Sequence, residues 1–446
     1  MEYISLAGII ITLVLFVVSC LNGIPLTVSS VLLSILLWLF SIGCSGALGF
    51  DAMVETYTAG VGNILNKYLF LLMFGAWFGN IVAASGIGAA MSHKLEGLIN
   101  RAPVKARKVL AVSVVPILNA IFIYCGVSVY TVVFVVVCVA RDLFKRMDIP
   151  WHLYALSTLG SATFAACMLP GSPSNVNIAA GLMMGTSLSS APVLSLILSA
   201  ECIVLAILYM IYEVKKVERK KEGFYPSGAE IDKVVFREED DSYKTINLYI
   251  AVPMLFLPVV LMNIVGMSVP SALLVTCVIM TAMYWKRFNG NCKQVLTVGL
   301  TNGIMPAVTL AMTAGFAAVL VKTPGFNPVF TAISNLDVSP YAKVAILCGS
   351  MGFLLGNAAV AETSGLQLIG MDYLLASGAN LEVIHRITAM SSMLAIPPHN
   401  TGLCNSITVA KLTHRNTYMH YFMCAPVMGV ILTVSALLLI SIGITY

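Results

Sequence analysis

Apolar stretches recur from one end of the chain to the other, many of them about 18 residues or longer, which is enough to cross a hydrocarbon layer as a helix. They predict spans at 4–20, 25–42, 68–83, 109–124, 128–140 and 152–168, then at 193–212, 246–265 and 269–285. A weaker region at 296–321 and spans at 341–361, 383–396 and 418–442 complete the series. Several are short enough to be half-spans or hairpins, so the expectation is roughly 10 to 13 crossing or re-entrant segments. The first apolar run has no basic leader and no clear cleavage site, and reads as the first membrane helix rather than a removed signal.

The places where this pattern is interrupted carry more information than the spans. Leu169-Pro170-Gly171-Ser172-Pro173-Ser174-Asn175-Val176-Asn177 follows apolar sequence and leads into a run rich in Gly, Ser, Thr and Met. Each proline lacks a backbone donor and disfavours helix in the residue before it, so a helix reaching this stretch must break. Irregular backbone at membrane depth is tolerated only where protein or a water-filled cavity covers it. The competing reading is a proline-rich turn at the membrane surface.

Similar interruptions recur in the second half. Val82-Ala83-Ala84-Ser85-Gly86-Ile87 corresponds to Leu320-Val321-Lys322-Thr323-Pro324-Gly325-Phe326. Tyr124-Cys125-Gly126-Val127-Ser128 corresponds to Ala361-Glu362-Thr363-Ser364-Gly365-Leu366, and the Pro170 stretch to Ile396-Pro397-Pro398-His399-Asn400-Thr401-Gly402. Gly86 with Gly325, and Gly126 with Gly365, share a spacing of about 239, while Pro170 and Pro397 lie about 227 apart. Matched interruptions in two halves point to the substrate site of a transporter. The halves join through a stretch dense in Lys, Arg, Glu and Asp, which divides the chain into a membrane repeat at 1–213, a charged cytoplasmic linker at 214–245 and a second membrane repeat at 246–446.

Composition excludes a soluble fold. The chain is 59% hydrophobic and 10% charged, with a mean hydropathy of +0.92, against roughly 25% charged residues in soluble domains. The net charge of +5 comes from basic residues in loops, where they read as topology signals, or lipid-headgroup contacts, rather than as a nucleic-acid surface. Eleven cysteines stand singly, mostly in apolar stretches, as Cys20, Cys138, Cys202 and Cys277 do. They read as small core residues, with no metal-ligand spacing. The fold class expected is an all-α polytopic membrane protein with two inverted-topology repeats, re-entrant hairpins and broken transmembrane helices.

A broken helix exposes N–H groups at the start of its next segment and carbonyls at the end of the previous one. The first attract a carboxylate, and the second coordinate a cation. Ser172, Ser174, Asn175 and Asn177 add neutral donors and acceptors in the first half; His399, Asn400, Thr401 and Asn405 do so in the second, with Ser128, Ser364 and Gly365 at the other breaks. Neither proline-containing break holds Arg or Lys, which argues against a phosphate clamp. Glu362 is a candidate for carrying a coupling proton or helping to bind a cation, because an acid at membrane depth is expensive and commonly functional. A place in an aqueous vestibule without either role is the bland alternative. His399 titrates near neutrality when unperturbed, and reads equally as a substrate contact, a proton relay or a structural donor. Asn175 and Asn405 are the further candidates for the coupling ion. Glu382, His385 and Arg386 read as a helix-end pair and a topology signal. No hydrolase, zinc-protease or P-loop motif is present, so neither an enzyme nor an ATP-driven pump is expected, and no cofactor.

On these residues the chain resembles the gluconate permease family of the ion transporter superfamily, with the hydroxybutyrate-permease-like members as the nearest group. The resemblance runs from Phe74-Gly75-Ala76-Trp77-Phe78-Gly79 and Ser85-Gly86 through Tyr124 to Ser128, Leu169 to Pro173, Gly185-Thr186 and Ala191-Pro192. It continues in Thr323-Pro324-Gly325-Phe326, His385-Arg386, Pro398-His399-Asn400 and Leu412-Thr413-His414. It implies a proton-coupled symporter of the inner membrane that imports a small, often hydroxylated monocarboxylate such as gluconate or hydroxybutyrate. It also implies a homodimer, an elevator-like movement, and substrate and coupling roles for Ser172, Ser174, Asn175, Ser364, Gly365, His399 and Asn400. The chain departs from the family pattern at Glu362, at Ser174 to Asn177 and at Cys125, and a Ser-Asn pair also suits sodium. The alternatives are therefore a sodium-coupled di- or tricarboxylate carrier and, from other classes, an intramembrane enzyme acting on lipid-linked substrates or a passive channel.

Overall fold

The segment before Gly86 contains no proline, and it becomes one helix of 36 residues, Phe50–Ser85, ended by Gly86 in the left-handed conformation at φ +84°. The structure, a computed structural model, describes residues 2–156, 168–233, 245–288 and 290–446; they contain helices and no strand. The first half holds α1 (Glu2–Leu21), α2 (Leu26–Ser41), α3 (Phe50–Ser85), α4 (Ile87–Ile99), α5 (Val104–Tyr124), α6 (Val129–Arg146), α7 (Asn175–Met184) and α8 (Pro192–Arg219). A short α9 (Ala229–Asp232) lies in the charged stretch. The second half holds α10 (Leu248–Leu255), α11 (Leu257–Asn263), α12 (Val269–Tyr284), α13 (Cys292–Asn302), α14 (Ile304–Val321), α15 (Phe326–Ser334) and α16 (Pro340–Leu355). After these come α17 (Ala358–Ile369), α18 (Met371–Ala376), α19 (Leu381–Ser391), α20 (Thr401–Val409), α21 (His414–Phe422) and α22 (Met428–Ser441).

Among the described residues seven helical segments are long and apolar enough to span a membrane, and α2, α7 and α16 are shorter apolar helices. The chain is thus an all-helical polytopic membrane protein. Large apolar side chains on α1, α8 and α22, such as Ile10, Leu208 and Leu438, face outward. The best-covered spans are α3 and the α13–α14 pair, and α3 packs along α14, α13, α12 and α6. At the α3–α14 crossing a Cβ on Gly60 would lie 3.0 Å from the Gly315 Cα, and one on Gly315 would lie 3.0 Å from the Tyr57 carbonyl. Small residues that let backbones approach are what holds helices together where lipid removes the hydrophobic contrast.

Three expectations shift, and another falls mostly outside the described residues. The span expected at 68–83 is the buried end of α3, whose earlier turns carry Asp51, Glu55, Asn63 and Lys67 and so lack the apolar signal. Helix α8 continues past the expected boundary at 213 to Arg219, with Glu213 buried and paired to Lys216 at 2.9 Å. The span expected at 152–168 begins as a 3-10 turn, Trp151–Tyr154; residues 157–167, and residues 234–244 of the linker, lie outside the described residues. Finally, Glu362 to Gly365 is no break, because those residues lie inside α17. The second-half break is Gly356-Asn357: Gly356 takes a left-handed φ of +62°, and Asn357 caps α17 by accepting from the Val360 N–H at 3.2 Å. In the first half a short break separates α5 from α6 and a proline break precedes α7; in the second a short break separates α16 from α17 and a proline break precedes α20.

Candidate functional site

In the first half the chain turns at Gly171 (φ +78°), and the Pro170 carbonyl accepts from the Tyr124 hydroxyl at 3.0 Å. Ser174 then caps α7, its Oγ accepting from the Asn177 N–H at 3.3 Å. A Cβ on Gly126, at the tip of the α5–α6 hairpin, would lie 3.5 Å from the Pro173 ring. The second half repeats the arrangement with other residues. Asn400 caps α20, its Oδ1 accepting from the Leu403 N–H at 2.7 Å, while its Nδ2 donates to the carbonyls of Gly356 (3.1 Å) and Ala395. The Thr401 N–H donates to the Gly356 carbonyl at 3.0 Å. In each half the hairpin tip therefore rests on the proline break, and the break starts a capped half-helix.

The two half-helix starts meet through a pair of tyrosines. The exposed Asn175 donates from Nδ2 to the Tyr68 hydroxyl at 3.5 Å, and the Tyr68 and Tyr130 rings meet edge to face with centroids 5.1 Å apart. The Tyr130 and Thr401 hydroxyls are hydrogen-bonded at 3.0 Å, and Asn405, one turn along α20, donates to the Tyr130 carbonyl at 3.1 Å. Residues far apart in the chain thus converge: Asn175 of α7, Tyr68 of α3, Tyr130 of α6, and Thr401 and Asn405 of α20. Neither tyrosine was singled out in the sequence. Their signal is an aromatic hydroxyl within an apolar span, which needs a polar partner when covered; Tyr130 also stands two residues past Ser128.

The other expected site residues are placed differently. His399 is buried and stacks on Phe16 with centroids 4.8 Å apart, with Phe316 edge-on. Its Nε2 faces the Leu354 carbonyl at 3.2 Å, so that nitrogen carries the proton, and Nδ1 is buried with no partner among the described residues. His399 therefore packs in an aromatic cage and has no hydrogen bond to the tyrosine pair. Ser128 starts α6; its Oγ and that of Ser172 are buried and unpartnered among the described residues. Ser364 is half-buried within α17, and Gly365 lets that helix approach α16, where a Cβ would lie 2.8 Å from the Cys348 sulfur. Glu362 is 1% exposed, and neither carboxyl oxygen has a partner among the described residues. Its helix packs against α7.

Asn177 belongs to a network that the sequence reading divided wrongly. His385 and Arg386 are buried, at 0% and 2% exposure, so they are no surface topology signal. The Asn177 Oδ1 accepts from His385 Nε2 at 2.8 Å and from Arg386 Nη1 at 3.0 Å. Of the trio 382, 385 and 386, only Glu382 is exposed, its carboxylate accepting from the Ala191 N–H at 3.4 Å. Among the described residues no three His, Cys, Asp or Glu side chains gather to hold a metal ion.

Two comparisons bear on this arrangement. The model of the family described as GntP family permease matches residues 3–300. An uncharacterised transporter of Bacillus subtilis strain 168, YxjC, is 25% identical over 402 residues, covering 81% of this chain and 84% of the relative.

Proposed function

The chain belongs to the GntP family of permeases, and on that premise we propose that it is a secondary carrier importing a small hydroxylated monocarboxylate together with protons. The observation that carries this reading is the convergence of the α7 and α20 starts on Tyr68 and Tyr130. Two helix N-termini aimed at one place supply N–H donors and positive dipole ends. Hydroxyls and amides around them bind an anion without several buried fixed charges. The two halves, related by inverted topology, then rock or slide about this point to alternate access. Glu362, an enclosed carboxyl on a helix packed against α7, is the proposed proton carrier.

Sodium coupling is the second reading. It is favoured by Asn405 Oδ1 and Ser128 Oγ, buried acceptors beside Tyr130 that have no partner among the described residues. Uptake of labelled gluconate or hydroxybutyrate into proteoliposomes, under an imposed pH gradient or an imposed sodium gradient, separates the two. Asn175→Ala and Tyr130→Phe are expected to raise the apparent KM for uptake about tenfold, the value of one lost hydrogen bond to a charged group, with membrane insertion unchanged. Wild-type kinetics in both variants would remove the site from this place.

A further inference from the structure

Arg386 lies in the second half of the chain, yet three of its hydrogen bonds reach the first half, to α7 and to the loop that follows it. Its Nε donates to the Ser190 carbonyl at 2.6 Å, Nη1 to Asn177 Oδ1 at 3.0 Å and Nη2 to the Leu188 carbonyl. Arginine only donates, so the Asn177 atom facing it must be the amide oxygen. The Asn177 nitrogen then faces the carbonyls of Ser172 (2.8 Å) and Leu188 (3.2 Å). With His385 Nε2 as the second donor to Oδ1, all four hydrogen-bonding sites of this amide are used. Asn177 has none left for a solute.

The same bonds settle the histidine tautomer. Nε2 donates to Asn177, so in the neutral ring Nδ1 accepts from the Thr186 hydroxyl at 2.7 Å. Gly181 lets the Thr186 carbonyl approach α7: a Cβ there would lie 3.0 Å from that oxygen, and in ordinary contact, 3.5 Å, with His385 Cε1. The Leu188 carbonyl also accepts from the Gly171 N–H at 2.9 Å. One carbonyl thus ties the break, the first turn of α7 and the guanidinium together.

We propose that Arg386, acting through Asn177 and Leu188, is the positioning residue that sets the Ser172–Asn175 break for a small carboxylate. The inference rests on the carrier reading above. What the position requires is the planar fork, because three acceptors on two segments must be reached at once; an ammonium carries the same charge without that geometry.

The test is carboxylate uptake into proteoliposomes by R386K, R386Q and N177D, with protein amount normalised to the folded fraction. R386K and R386Q are both expected to raise apparent KM about tenfold or more while maximal rate per folded carrier stays within about twofold. N177D keeps an acceptor for both His385 and Arg386 but loses the donors to Ser172 and Leu188, and is expected to move KM in the same direction. A wild-type KM in R386K would show that charge alone matters and overturn the proposal. So would maximal rates falling with the folded fraction at unchanged KM, the signature of a purely structural role. Where R386K does not accumulate in the membrane, N177D decides: unchanged KM overturns the proposal. Failure of the wild-type protein to take up any small carboxylate saturably would instead remove the carrier reading itself.

Discussion

Glu362 is the residue whose sequence signal and structural setting agree most closely. An acid in an apolar run stands out in the sequence, and both its carboxyl oxygens prove enclosed and unpartnered among the described residues. An ionised carboxyl so placed costs several kcal/mol, and a protonated one much less. Glu362→Gln keeps the shape and removes the titration. Under the proton coupling proposed above, proteoliposomes carrying it are expected to retain solute exchange and to lose the stimulation of uptake by an inward proton gradient. Full stimulation in this variant would assign the proton to another group. His399 was equally conspicuous, and its Nε2 donates to the Leu354 carbonyl. Its neighbours are Phe16 of α1 and Phe316 of α14, long-range contacts that no local pattern announces. Tyr68 and Tyr130 were missed for the opposite reason, since single tyrosines in apolar spans are common and only the fold brings these two together.

At the scale of elements, the proline breaks were legible because proline acts through its own backbone chemistry. The glycine break was misplaced. Ser364-Gly365 looks like punctuation, but its small side chains serve helix approach inside the hairpin, while the turn falls where Gly356 adopts a left-handed φ next to the capping Asn357. Moving the partner of Gly126 from Gly365 to Gly356 shortens their separation to about 230, close to that of the two proline breaks. The charged stretch is also more structured than its composition implies. Asp232, closing α9, pairs with Lys145 at 3.0 Å and Arg141 at 3.7 Å and accepts from the Tyr225 hydroxyl. Partial burial works to raise its pKa, but the hydrogen bonds from Tyr225 and Lys145 and the charges of Lys145 and Arg141 outweigh it and hold the pKa below the ordinary value. A group with a depressed folded pKa adds stability above its unfolded value, about 3.9 for Asp, and loses it as pH falls through the folded value. Asp232→Asn is therefore expected to lower the thermal midpoint in detergent at pH 7, and to make progressively less difference as the pH is taken below 4. A penalty independent of pH would mean that packing, not charge, holds α9 to α6.

Across the whole molecule, each half completes the other. Helix α7 of the first half packs against α17 and α19 of the second, and α20 of the second packs against α6 of the first. Long α3 lies along α12, α13 and α14, and the Asn177–Arg386 and Tyr130–Thr401 bonds cross between the halves. The matched interruptions divide the sequence in two but do not announce this exchange of partners, because cross-packing depends on three-dimensional contacts between residues hundreds of positions apart. Either half alone would leave buried Arg386 without the acceptors described and the Asn177 Oδ1 without its two donors, a large cost for buried polar groups. Expressed singly, residues 1–233 and 245–446 are each expected to be degraded or to aggregate. Co-expressed, they are expected to co-purify and to restore the proposed carboxylate uptake, since the bonds that join the halves, such as Asn177–Arg386 and Tyr130–Thr401, lie within these two segments. A half that is stable and monodisperse alone would show that the cross-packing is dispensable to folding. The proposed site at Tyr68 and Tyr130 would then have to be assembled after each half had folded, rather than with it.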